Sequence, residues 1–129
     1  MDCLFCKIID GSIPSKTIYE DDLIKVILDI NPSTNGDSLI IPKKHYENMF
    51  DLDEILIPHI IKVIKELNEL LKEKLSIDGL TLVQNNGEGQ EIKHYHVHVT
   101  PRYKNDKVVQ SSNKDILVSI DDVYDQIKS

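Results

Sequence analysis

Three histidines alternate with bulky residues in the run His94-Tyr95-His96-Val97-His98-Val99-Thr100, and few backbones accommodate that pattern. β-branched and aromatic residues favour an extended chain, in which successive side chains point to opposite faces. The run predicts a strand over 93–102, with Tyr95, Val97 and Val99 on one face. His94, His96 and His98 then share the other face at spacings of roughly 6.5–7 Å. A row of imidazoles fills a core poorly, because each ring carries two nitrogens that need partners. Two functional readings are stronger than three separately satisfied histidines. One is a metal site, since imidazole is a common zinc ligand. The other is phosphoryl chemistry, where imidazole serves as nucleophile, acid and hydrogen-bond donor near neutral pH. The triplet alone does not separate them.

Length bounds the architecture: 129 residues make one domain, 1–129, with enough chain to bury a core. The 40% hydrophobic and 29% charged residues are ordinary for a soluble globular protein. A net charge of −7 argues against a general nucleic-acid binder, yet leaves room for a small phosphate ligand held by local donors. No apolar run reaches membrane-spanning length, and the start Met1-Asp2 lacks the basic and apolar regions of a signal peptide. The expected location is therefore the cytoplasm, with no membrane partner. Cys3 and Cys6 are the two cysteines. In a reducing compartment a disulfide is not expected, and the pair reads as half of a tetrahedral metal site, as a redox pair, or as incidental.

The remaining elements follow from periodicity and turn chemistry. A short helix over 5–9 stops at Asp10-Gly11, and strands over 17–20 and 23–28 are joined by the Asp21-Asp22 turn. Asn31-Pro32 and Asn35-Gly36 punctuate a loop before a strand over 38–41. A long helix runs from about Asp51 or Asp53 to Leu75, with Asp51 and Glu54 spaced as a capping box. Ile60, Ile64, Leu67 and Leu71 form its apolar stripe, opposite Lys62, Lys65, Glu66 and Glu69. Strands over 80–83 and 93–102 and a closing helix over 121–128 complete the chain. The sum is an α+β fold, an antiparallel β-meander with one long helix and short terminal helices.

With the strands placed, the chain resembles the histidine triad (HIT) family, and its small bacterial-type, Hint-like branch, over nearly its whole length. The matching segments are Cys3-Leu4-Phe5-Cys6-Lys7-Ile8-Ile9, Asp29-Ile30-Asn31-Pro32, Ile41-Pro42-Lys43-Lys44-His45 and Asn85-Asn86-Gly87-Glu88-Gly89-Gln90. The last is the signature His-apolar-His-apolar-His, followed by Pro101-Arg102-Tyr103. The resemblance implies the HIT-like fold and chemistry on a purine nucleotide at its α-phosphorus. His96, the middle histidine, matches the nucleophile that forms a nucleotidyl-histidine intermediate. His98 matches a contact to phosphate oxygen or leaving group, and Asn85 and Gln90 match polar residues around the phosphate. Asp29 matches the carboxylate that takes both ribose hydroxyls, with Ile30 beside it. Phe5, Ile8, Ile27 and Leu28 align with a nonpolar base pocket. In zinc-containing members the two N-terminal cysteines are joined by two histidines, which here are His45 and His94. Cys3, Cys6, His45 and His94 would thus form a closed, structural zinc site. Members pair through the long helix and the sheet edge, so a homodimer with a continuous sheet is expected.

The chain also departs from the family pattern. Asp37 stands where many members carry His, and Glu91 follows Gln90 where a Ser or Thr that donates a hydrogen bond to phosphate is usual. The loop between Asn85 and Gln90 is short. The expected activity is that of a purine nucleotide phosphoramidase or nucleotidyl hydrolase that releases a nucleoside monophosphate from AMP or GMP conjugates. Lys93 before His94 raises a dinucleoside polyphosphate hydrolase as an alternative. A noncatalytic nucleotide-binding adaptor and a metallohydrolase with zinc on all three histidines are the other two.

Overall fold

The alternation read from residues 95–99 sets up two layers on one sheet. In the computed structural model, which describes residues 2–109 and 111–129, Tyr95, Val97 and Val99 point to a core shared with a long helix. The elements, in chain order, are α1 (Leu4–Ile9), β1 (Thr17–Glu20), β2 (Ile24–Leu28), β3 (Ser38–Pro42), α2 (Leu56–Leu75), β4 (Gly79–Val83), β5 (Val97–Arg102) and α3 (Ile120–Lys128). A 3-10 turn over Lys114–Ile116 precedes α3. The five strands form one antiparallel sheet in the order β1-β2-β3-β5-β4. The expected α+β class holds, with β5 inserted between β3 and β4, so that His98 stands opposite both Leu39 and Val83.

Helix α2 buries Leu56, Ile60, Val63, Leu67 and Leu71, a stripe at helical spacing. These pack on Ile24, Val26 and Ile40 from the sheet. The opposite sheet face carries Ile27, Leu39 and Ile41, and α1 covers them with Phe5 and Ile8, joined by its N-cap Cys3. Both layers follow from period-2 alternation in β2 and β3. Gly36 enters β3 at φ +88, where an added Cβ would stand 2.7 Å from Leu75 Cδ1 and 3.2 Å from Pro101 Cγ. Only glycine fits both the left-handed backbone and that approach.

Two boundaries differ from the sequence reading. Helix α2 begins at Leu56, not near Asp51 or Asp53. The Asp51 carboxylate accepts the N–H groups of Glu47 and Asn48 and so closes an upstream turn instead of capping a helix. Pro58 then falls in the first turn, where its missing N–H costs little. Strand β5 begins at Val97, not Lys93. The preceding residues leave the ladder for other partners: Tyr95 N–H bonds the Tyr46 carbonyl at 2.7 Å, and His94 Nε2 bonds the Pro42 carbonyl at 2.8 Å. Among the described residues no helix is long and apolar enough to cross a membrane.

Candidate active site

A cavity of about 620 Å³ opens between α1, the end of β2 and the histidine run. Its apolar wall includes Phe5, Ile8, Ile27 and Leu28, and Ile30 lies at its rim, 87% exposed. Ser15, Asp29, Asn31, Asn85, Glu91, His96 and His98 form the polar part. Leu4, Ile13, Leu39 and Ile92 also line it; an apolar residue carries no local signal that separates a cavity wall from core. The lining contains no Lys or Arg.

The histidines hold their alternation although only His98 lies in β5. His96 is buried and its ring centroid is 4.9 Å from that of His98, at an interplanar angle of 70°. Phe5 presents its ring edge-on to His96 at 4.9 Å and to His94 at 5.9 Å, which fixes the row from the α1 side. His96 Nδ1 lies 2.7 Å from the His94 carbonyl. A carbonyl only accepts, so Nδ1 carries the proton and Nε2 keeps its lone pair. Burial pulls His96 below the usual histidine value, and nearby His98 acts in the same direction. The bond to the His94 carbonyl and the charges of Asp29 and Glu91 work against that shift. The net effect favours a neutral imidazole near neutral pH.

The carboxylates and amides divide by role. Asp29 Oδ1 accepts the Asn31 N–H at 2.9 Å, a turn that holds the carboxylate at the cavity. Asp37 accepts from Ser33 and from Thr100 Oγ1 and bonds none of the histidines. Gln90 is not brought to the cavity. Its Nε2 donates to the carbonyls of Glu47 and Ile92, and its Oε1 accepts the Gly87 N–H. That side chain spends its hydrogen-bonding capacity bracing the short loop, while Asn85 lines the cavity.

Beside the cavity, Cys3, Cys6, His45 and His94 bring one donor atom each within 4.8 Å of one another. His45 Nδ1 and His94 Nδ1 are 3.1 Å apart. Cys3 Sγ is 3.4 Å from His94 Nδ1, and Cys6 Sγ is 3.4 Å from His45 Nδ1 and 3.6 Å from His94 Nδ1. A four-coordinate metal with imidazole and thiolate ligands has edges of about 3.3 Å between nitrogens and about 3.6 Å from nitrogen to sulfur. The donor set fits. His94 Nε2 donates to the Pro42 carbonyl, so its Nδ1 lone pair faces the cluster. Burial and then the adjoining Cys3 push the Cys6 thiol up to about 11, and a bound cation would draw it back toward the thiolate. The four residues can hold a metal ion, and His96 and His98 take no part in the cluster.

Comparison with known proteins places this geometry in a family. An adenylylsulfatase of Arabidopsis thaliana is 38% identical over 107 residues, covering 81% of this chain and 54% of that protein. The adenosine 5'-monophosphoramidase of Saccharomyces cerevisiae is 35% identical over 102 residues, covering 78% of this chain and 62% of that protein. A Zn-bound histidine triad family protein from Mycobacterium smegmatis superposes with a TM-score of 0.80 at 34% identity, covering 88% of this chain and 84% of the other. The HIT domain model matches residues 10–105, which contain β1 to β5 and all three histidines of the row; the chain belongs to the HIT domain family.

Proposed function

We propose that the protein is a purine nucleotide phosphoramidase, or more broadly a nucleotidyl hydrolase, working through a nucleotidyl-His96 intermediate. One observation carries the reading: the His96 Nδ1 bond to the His94 carbonyl leaves Nε2 as the ring's free lone pair in a residue that lines the cavity. The purine lies against Phe5, Ile8, Ile27, Leu28 and Ile30, and Asp29 accepts the ribose hydroxyls with the capacity its carboxylate has left. His96 Nε2 attacks the α-phosphorus. As that bond forms, the bond from phosphorus to the leaving nitrogen breaks, and the amine departs with the electron pair and takes up a proton. Water then attacks phosphorus, the Nε2–phosphorus bond breaks, and a nucleoside monophosphate leaves. His98 contacts phosphate oxygen or the leaving group, and Asn85 donates amide hydrogens where negative charge grows. Gln90 serves the site indirectly, through the loop it braces.

Cys3, Cys6, His45 and His94 would hold a structural zinc ion, a reading supported by the cluster's dimensions and by the Zn-bound relative. Four protein donors leave no coordination position for water, so bound zinc would tie the N-terminal segment to the histidine run and supply no Lewis acid to the reaction. We further read the protein as a single-domain cytoplasmic homodimer. The deciding experiment is release of AMP from adenosine 5'-phosphoramidate, with rapid-quench mass spectrometry of the protein. An acid-labile adduct on the peptide that contains His96 is expected. Tight nucleotide binding without release or adduct would make the protein an adaptor instead.

A further inference from the structure

The cavity carries carboxylates although the proposed ligand is a phosphate. Asp29 and Glu91 are both on its lining, and neither Lys nor Arg is. Three lysines have partners of their own: Lys93 Nζ donates to the Gly87 carbonyl, Lys25 Nζ to the Ile8 carbonyl, and Lys43 pairs with Glu20. Asp29 has a local partner in the Asn31 N–H and a place in the proposed binding of ribose. Glu91 has neither. It is exposed, and its carboxylate has no hydrogen-bond or ion-pair partner among the described residues. Its neighbours explain its position. Gln90 is buried and bonded into the loop, and Ile92 packs under α1 with the apolar cluster, so the residue between them is held at the cavity with nothing to neutralise it. Glu91 shares the cavity lining with His96, the residue where attack begins, and with His98.

We propose that Glu91 sets leaving-group specificity, favouring nucleotide conjugates whose leaving amine carries a second, positive charge, such as a diamine or a basic amino-acid side chain. The proposal rests on the phosphoramidase reading and deepens it. A nucleoside phosphoramidate brings one negative charge to the cavity, and a cationic tail beside Glu91 offsets it. A polyphosphate leaving group adds further negative charge between two carboxylates, with no lysine or arginine on the lining to receive it. The same argument weighs against a dinucleoside polyphosphate as substrate.

The test compares two adenosine 5'-phosphoramidates of equal length, one made from pentylamine and one from 1,5-diaminopentane. In the wild type, kcat/KM for the cationic tail should exceed that for the neutral tail by about threefold to fivefold, the scale of an exposed ion pair. The excess should shrink as salt rises. In Glu91→Gln the ratio should fall to about one, and in Glu91→Lys below one. Because the readout is a ratio within one variant, any loss common to both substrates cancels. A wild-type ratio of one, or a ratio that survives Glu91→Gln, overturns the proposal. Equilibrium binding of the corresponding AMP diesters, with pentanol and 5-aminopentanol tails, keeps the two ideas apart. Absent turnover with a Glu91-dependent affinity difference would sink the phosphoramidase reading alone. Equal affinities in wild type and Glu91→Gln would sink the role of Glu91, and no nucleotide binding would end both.

Discussion

A nucleophilic imidazole needs a lone pair, a fixed orientation and a neutral ring, and His96 meets each need through a different neighbour. The His94 carbonyl fixes the tautomer, the Phe5 edge fixes the ring, and burial disfavours the protonated form. His96→Ala should therefore lower phosphoramidate turnover by about a thousandfold or more, because positioning alone cannot replace a missing nucleophile. Metal content should be unchanged, since His96 is not among the four clustered donors. His94→Ala should do the reverse first, losing metal, and a His96→Ala protein with near-normal turnover would point to water as the attacking group. The row itself was legible, because alternation of imidazole with β-branched and aromatic residues implies one face whatever the strand's length. Gln90 was not legible in the same way. An amide can turn to a phosphate or to a carbonyl, and the distant partner of Gln90, the Glu47 carbonyl, is brought to it only by the fold.

At the scale of elements, one side chain joins the β1–β2 turn to α2. Asp21 Oδ1 accepts the Leu23 and Ile24 N–H groups, while Oδ2 accepts the Tyr19 hydroxyl at 2.7 Å and lies 2.6 Å from His59 Nε2 in the first turns of α2. Burial alone would raise this carboxyl, but those hydrogen bonds outweigh it and hold Asp21 at about 2 against an ordinary 3.8. The folded state therefore takes up this proton later than the unfolded chain as pH falls. The associated stability, about 2 kcal/mol at most, is whole above about pH 4 and lost on the way to about pH 2. Asp21→Asn should lower the stability at neutral pH by about 1–2 kcal/mol and flatten the acid limb of a urea-denaturation series. An unchanged acid limb would mean that other carboxylates control it. The hairpin was readable from Asp21-Asp22, but its link to His59 was not, because 38 residues separate the partners. The start of helix α2 turns on a local choice: Asp51 has the composition of a cap, and the chain uses its oxygens for Glu47 and Asn48, four and three residues upstream, where an equally local turn competes with the cap.

Across the whole molecule, the clustered donors come from the N-terminal segment, the chain after β3 and the approach to β5, so bound metal would close loops of tens of residues. Cys6→Ala should then lose metal and stability together, because binding free energy becomes part of folding free energy; metal analysis and a thermal melt on the same sample would read both. A metal-free protein with an unshifted melt would refute the structural role. The proposed homodimer rests on what the single chain leaves uncovered. Strand β4 forms one edge of the sheet, with Leu82 and Val83 over 40% exposed, and Ile61 on the outer side of α2 is 45% exposed. An unprotected edge invites pairing, and exposed apolar side chains lose free energy to water that a second copy would recover. Sedimentation at micromolar concentration should give twice 14.8 kDa. Substituting Ile61 and Leu82 by Lys should shift that species toward the monomer while the far-ultraviolet spectrum is kept, since neither side chain is in the buried core. A wild-type protein that sediments at 14.8 kDa at every accessible concentration would show that this edge and helix face need no partner.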